Sequence, residues 1–237
     1  MSLVNLTTAK VSIIIPTLNE AGNIKGAIAS TQSSANIEVI VVDGGSSDDT
    51  VNIAQSLGAK VIFSSPGRAL QMNAGATVAS GDVLLFLHAD TRLPVGFDAM
   101  IRTALQQPKT VAGAFNLQID HPGLGLKLVE LGVKWRSHLM QMPYGDQAIF
   151  LTQQVFQEIG GFPELPIMED FELIRRLKSM GNIVIINTPV ITSARRWLQK
   201  GVIQTTLLNQ IIIIAYLFGV SPAPIRSWYR RERFRKN

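Results

Sequence analysis

The chain has no cysteine, which excludes disulfides, thiolate metal sites and cysteine nucleophiles and fits a reducing compartment. It has three histidines, His88, His121 and His138, in unrelated contexts, and these do not read as a three-histidine zinc site. It has no GxGxxG dinucleotide loop, no Walker A lysine loop, no GxSxG elbow and no HExxH pair. Its longest strongly apolar run near the C-terminal end, residues 211–220, is half of the ~20 residues that a membrane span needs. The first ten residues lack a charged segment followed by an apolar one, so no signal peptide is expected and the expected location is cytoplasmic. Charged residues are scarce, 16%, against 46% apolar, so the 237 residues can bury a sizeable core and do not read as disordered.

What charge there is lies at one place. The net charge is +5, and residues 226–237 alone carry six basic side chains (Arg226, Arg230, Arg231, Arg233, Arg235, Lys236) against Glu232. The rest of the chain is balanced at 16 basic and 16 acidic residues, so the basic pI describes a tail and no nucleic-acid partner is expected.

Strand-like and helix-like runs alternate through the first half. Residues 11–15, 38–42, 60–63 and 83–87 read as strands, with helices over 21–34, 48–57 and 68–79 between them. That order predicts a parallel sheet with helices on both faces. After Pro94 the pattern loosens. It gives a helix over 97–107, a strand over 111–119, a mixed segment over 123–142 and a strand over 146–151. Then come helices over 153–159 and 169–180, short strands over 183–186 and 190–192, and a long apolar helix over 203–220. The expected organisation is one domain over 1–200, with a nucleotide-binding half (1–95) and an acceptor half (96–200) sharing a sheet, followed by an apolar helix and basic tail (201–237).

The chemistry collects at strand ends, where open α/β sheets bind ligands. Two apolar runs finish in polar turns, Ile15-Pro16-Thr17-Leu18-Asn19-Glu20 and Val42-Asp43-Gly44-Gly45-Ser46-Ser47-Asp48. A third ends in His88-Ala89-Asp90, where a carboxylate is placed to hold Mg²⁺ or Mn²⁺, cations that keep positions open for substrate phosphates. Glu169-Asp170 opens a helix; acids there complement the helix dipole, and Asp170 could also take a proton from an acceptor hydroxyl. Arg68 begins a helix after Pro66-Gly67, and Arg195-Arg196-Trp197 follows the last short strand; both suit phosphate.

These motifs, in this order, resemble an inverting family 2 glycosyltransferase of the GT-A fold. The likeness runs from Val11 to Trp197 and includes Gly67-Arg68, Asn73-Ala74-Gly75, Ser80-Gly81-Asp82 and Gly160-Gly161-Phe162. It implies an α/β fold with a Rossmann-like, mostly parallel mixed sheet flanked by helices, and a C-terminal helical extension. It assigns Pro16, Thr17, Asn19, Glu20, Asp43, Gly45, Arg68, Asn73 and Ala89 to the nucleotide. It makes Asp90 the ligand of Mn²⁺ or Mg²⁺; His88 stands where the family has the first aspartate of its DxD motif, and is either a second ligand of the cation or a contact to ribose or phosphate. Asp170 becomes the base of a single inverting displacement. Asp146, Gln147, Glu169, Arg195, Arg196 and Trp197 fall on the acceptor and phosphate side. In the nucleotide role, Asp43 can accept from uracil N3–H or from guanine, but finds no ring N–H on the corresponding edge of adenine, so UDP is expected ahead of GDP. Leu87-His88-Ala89-Asp90-Thr91, Tyr144-Gly145-Asp146-Gln147 and Ser193-Ala194-Arg195-Arg196-Trp197 resemble a bacterial subgroup associated with radical-SAM proteins and arsenosugar biosynthesis.

Three expectations concern partners. The donor is a nucleotide-diphosphate sugar, and the acceptor is not specified. The helix over 203–220 forms either a core or homodimer contact, or an in-plane membrane helix followed by an anionic-lipid-binding tail with Trp228 and Tyr229 at the interface. Two other functions compete: a non-catalytic nucleotide-sugar-binding module, and a sugar-phosphate nucleotidylyltransferase. The second is disfavoured because residues 16–20 carry no basic phosphate-binding side chain.

Overall fold

A computed structural model describes residues 6–32 and 36–225. The four apolar runs of the first half form strands β1 (Val11–Thr17), β2 (Ile37–Asp43), β3 (Lys60–Phe63) and β4 (Val83–Phe86). Helices α1 (Ile24–Ala29), α2 (Thr50–Ser56) and α3 (Arg68–Thr77) separate them. The second half adds β5 (Thr91–Arg92), α4 (Phe97–Leu105), β6 (Thr110–Ile119), α5 (Leu124–Met140), β7 (Ile149–Thr152) and α6 (Gln153–Glu158). It closes with α7 (Glu169–Lys178), β8 (Asn182–Thr192), α8 (Arg195–Lys200) and α9 (Val202–Leu217).

All eight strands join one sheet in the order β3-β2-β1-β4-β7-β6-β8-β5. Pairing is parallel across β3-β2-β1-β4 and between β6 and β8, and antiparallel where β7 meets β4 and β6 and where β5 meets β8. The apolar strands are buried on both faces, as a parallel sheet between helices requires. Ile13, Ile15, Val41, Val83 and Leu85 pack on one face with α1, α2, α4 and α5. Ile14, Ile40, Val42, Leu84 and Phe86 pack on the other with α3, α6 and α7. Helix α3 lies close on this second face because Gly75 has no side chain: a Cβ there would stand 2.4 Å from Ile14 Cγ2.

The sequence reading needs several corrections. The helix expected over 21–34 is only six residues long, and positions 33 and 34 lie outside the described residues. The mixed segment is a 17-residue helix, α5. Residues 145–147 form a short 3₁₀ turn rather than the start of a strand, because Gln147 turns inward and Ala148 takes a left-handed φ of 50° before β7 begins. The two short strands over 183–192 are one, β8, with an irregularity where the pairing slips between Phe115 and Asn116. There the Asn116 side chain donates to the Asn187 carbonyl at 2.9 Å. The two-residue β5 and the short α8 were not foreseen.

Candidate active site

Because β1 and β2 run parallel in register, Thr17 stands beside Asp43 at one edge of the sheet. The loop after β4 carries His88 and Asp90 to the same edge, since Ile14 pairs with Phe86.

The donor-side loops are held by their own side chains. Asp43 is wholly buried. Its Oδ2 accepts from the Gly45 and Ser46 amides at 2.9 and 2.8 Å, and its Oδ1 from Ser46 Oγ at 2.5 Å and Thr17 Oγ1 at 3.3 Å. A carboxylate with both oxygens so occupied and no exposed surface does not face a nucleobase. In this arrangement the carboxylate braces the turn, where the motif reading has it accept from the base. Asn19, at φ 56°, accepts from the Ser47 amide at 2.8 Å and donates its own amide to Ser46 Oγ at 2.8 Å, locking the two loops together. Gly45 also has positive φ, 94°, with open space beyond its Cα. Pro16 is half-buried in the ladder opposite Val42.

Other expected donor residues work as braces. Asn73 donates to the Phe162 carbonyl and accepts from its amide, both at 2.9 Å, tying α3 to the Gly160-Gly161 turn rather than pointing to a nucleotide. Glu20 accepts from Arg195 at 2.8 Å and from Asn23 at 2.6 Å. That ion pair, helped by Asp90, raises the Arg195 guanidinium above its usual range. Arg68 reaches the buried carboxylate of Glu169 at 2.6 Å, linking the start of α3 to the start of α7. Ala89 is buried between His88 and Asp90. Asp90 is half-buried, and among the described residues its carboxylate makes one long contact, 3.5 Å from Thr91 Oγ1.

On the acceptor side the decisive residue is Gly145. Its amide donates to Asp170 Oδ2 at 2.8 Å. A Cβ added there would stand 3.1 Å from His88 Nε2 and 3.2 Å from Asp170 Oδ2, so both side chains border the space over its Cα. Asp170 Oδ1 accepts from the Phe171 amide at 2.8 Å. Asp146 stands in the same group: its Oδ1 is buried with no hydrogen-bond partner among the described residues. Burial pushes its carboxyl above the ordinary range, against the pull of Arg136 and His88. Burial pushes Glu169 up too, against Arg68. Replacing Gly145 with Ala should lower turnover about tenfold, by crowding His88 and Asp170 apart, while leaving the melting temperature nearly unchanged. Steady-state kinetics beside a thermal melt checks this.

Gln147 and Trp197 are also built into the fold. Gln147 is fully buried, accepts from Arg136 and Ser137 at 2.9 Å, and donates to the Phe115 carbonyl at 2.9 Å. It is a core strut under the acceptor turn. Trp197 packs against the core on the face of α1 and α4. Arg196 bonds Asn209 of α9 at 3.1 Å, whereas Arg195 bonds Glu20.

Two residues escaped the sequence reading. Gln71, buried on α3, donates to the carbonyls of Thr17 and Val42, both at 2.8 Å, and accepts from the Gly67 amide. Arg136 on α5 stacks 3.4 Å over the Tyr144 ring and bonds the Met142 carbonyl. Neither belongs to a motif; a polar residue at an inward helical position was the only signal.

Residues 12–157, more than half of the chain, match the model for "Glycosyl transferase family 2". The chain belongs to that family. Among curated relatives, a "PGL/p-HBAD biosynthesis glycosyltransferase" of Mycobacterium bovis is 41% identical over 91 residues, covering 35% of this chain and 36% of that one. An "Uncharacterized glycosyltransferase" of Rickettsia felis is 30% identical over 190 residues, covering 71% and 31%. The family 2 chain thus spans about a third of the length of the curated relatives it matches. Among solved structures, S. aureus TarS in complex with UDP superposes with a TM-score of 0.63 at 17% identity, over 78% of this chain and 60% of that one. Mannosyltransferase PcManGT from Pyrobaculum calidifontis, in complex with GDP-Man and Mn²⁺, gives 0.62 at 19% identity, over 92% and 68%. These likenesses show the fold, the GT-A fold expected from the motifs.

Proposed function

We propose that this family 2 chain transfers a sugar from a nucleotide-diphosphate donor to an acceptor hydroxyl in one inverting displacement, with Asp170 as general base. The observation that carries this is Asp170 itself, half-exposed at the start of α7 and held by the Gly145 amide, with His88 also bordering that glycine. A half-exposed carboxylate held by a backbone amide at a helix start is aimed and still reachable by an acceptor.

The residues fit a divalent cation held by Asp90. Among the described residues no group of three or more His, Cys, Asp and Glu forms a metal cage. Mg²⁺ and Mn²⁺ in nucleotide sites do without one, taking one or two protein groups and filling the rest with phosphate oxygens and water. When bound, such a cation would offset the charge that builds on the departing diphosphate. The half-buried Asp90 carboxylate makes one long hydrogen bond within the protein, while His88 borders Gly145 beside Asp170, so we assign the cation to Asp90 and give His88 the acceptor side. With Asp43 occupied inside the protein, the argument for uracil over guanine loses its footing, and both UDP-sugars and GDP-sugars are retained as donors. Membership in the radical-SAM- and arsenosugar-associated subgroup is supported by the three quoted motifs alone.

Thermal melts with UDP, GDP, CDP and their sugars test the donor class. A nucleoside diphosphate at 100 times its Kd should stabilise the fold by about 2.7 kcal/mol, seen as a higher Tm. The shift should grow with Mn²⁺ in the wild type and lose that increment in Asp90→Ala. No shift with any nucleotide diphosphate would remove the donor site.

A further inference from the structure

Two helices expose apolar stripes that nothing among the described residues covers. Along α5 these are Leu124, Leu128, Leu131, Trp135 and Leu139, each between 52% and 80% exposed. Their spacing of three and four residues puts them on one side of the helix. Along α9 they are Ile203, Leu207, Ile211, Ile214, Leu217 and Phe218, between 52% and 85% exposed. The helices meet near their starts, where Gly125 of α5 faces Val202 of α9 at ordinary contact distance. A patch of this kind marks an interaction surface.

The charges around the stripes select the occupant. Lys127 and Lys134 are exposed on α5, and its single acid, Glu130, is used to accept the Ile119 amide at 2.6 Å. Helix α9 has no charged residue. Residues 226–237, outside the described residues, add six basic side chains and one acid in sequence directly beyond. A second copy packed on this face would bring lysines against lysines. An anionic bilayer answers both the apolar stripes and the cations. Trp135 sits within the stripe, a residue type favoured at the headgroup level. With 16 residues, α9 is about 24 Å long, short of the roughly 30 Å hydrocarbon core, so it suits lying in the interface.

The same two helices brace the acceptor side. Arg136 and Ser137 of α5 hold Gln147, next to Asp146. From α9, Ile212 packs with Met168 and Phe171, on either side of Glu169 and Asp170, and Tyr216 meets Phe171 edge-on with ring centroids 5.7 Å apart. We propose that the α5 and α9 stripes form one surface that docks on anionic membrane, and that the acceptor is an amphipathic lipid whose polar hydroxyl is delivered at that surface to Asp170. The lipid-acceptor part rests on the glycosyltransferase reading; the docking surface does not.

The test is co-sedimentation of the full chain with vesicles of phosphatidylcholine alone and of phosphatidylcholine with phosphatidylglycerol. The wild type should pellet with the anionic vesicles and be released by salt. The double variant Leu128→Glu/Trp135→Glu should bind at least about tenfold less, since both side chains are exposed in the folded chain. Its circular dichroism and its nucleotide-induced Tm shift should match the wild type, which separates loss of docking from loss of fold or donor site. Equal binding by the variant, or no wild-type binding to anionic vesicles at low salt, overturns the surface. So does a dimer by light scattering that the double substitution dissociates. Vesicle binding without any nucleotide-induced shift would uphold the surface and overturn the lipid acceptor together with the glycosyltransferase reading.

Discussion

Replacing Asp170 with Asn should cut sugar transfer by about 10²- to 10⁴-fold, the range over which a positioned general base acts. Donor binding should hardly change. The amide keeps one oxygen for one of the two backbone amides that the carboxylate holds, those of Gly145 and Phe171, the half-exposed position leaves the other amide to water, and the Arg68–Glu169 pair that anchors the start of α7 is untouched. The control is Asp146→Asn. Asp146 is the neighbouring carboxylate, and burial favours its neutral form. Its Oδ1 is also buried, away from an incoming acceptor, so the loss at Asp146 should be the smaller. Turnover of the best donor found by thermal melts, followed as nucleotide release, reads both variants. If Asp146→Asn proves the more damaging, the base is Asp146 and Asp170 only orders the turn. If Asp170→Asn removes the nucleotide-induced Tm shift, its role is structural.

The sheet was legible because its strands are short, apolar and punctuated by turn residues: Val11–Thr17, Ile37–Asp43 and Val83–Phe86 emerge close to where the pattern puts them. Helix α5 was hidden for a physical reason. Its outer side, with Leu124, Leu128, Leu131 and Trp135, is as apolar as its inner side, with Leu126, Val129 and Val133, so no amphipathic period stands out. The same exposure that erased the helical signal is what makes this face a docking surface. The turn at Gly145–Gln147 was read as strand because the side chains that bend it, Arg136, Ser137 and Asp170, come from distant parts of the chain. At the site, residue types were informative and their roles less so. His88 and Asp170 both border Gly145, and Glu169 pairs with Arg68. The polar atoms of Asp43, Asn73 and Gln147 are spent inside the protein. A sequence shows that a polar group is present and says little about which neighbour satisfies it.

Asp43 turns that distinction into a measurement. As a base-reading residue, it would tolerate Asn with an unaltered fold and altered nucleotide choice. As a strut, it would not. Its two oxygens accept from two backbone amides and two hydroxyls in a site without solvent. In Asn one of those oxygens becomes an NH₂ group. Placed at the Oδ2 position, it opposes the amides of Gly45 and Ser46, and neither can rotate away because both belong to the turn itself. Placed at Oδ1, it leaves the hydroxyls of Ser46 and Thr17 to reorient, and the charge that strengthened the other two bonds is still lost. Hydrogen bonds to a charged group contribute about 1.5–3 kcal/mol each, and a buried donor left unpaired costs about 1–3 kcal/mol. Asp43→Asn should therefore destabilise the chain by about 3 kcal/mol, seen as a fall in Tm of roughly 6–12 °C for a domain of this size. At temperatures where the variant is still folded, UDP and GDP should raise its Tm in the same proportion as in the wild type. A variant with wild-type Tm and an altered preference between UDP and GDP would return Asp43 to the nucleotide.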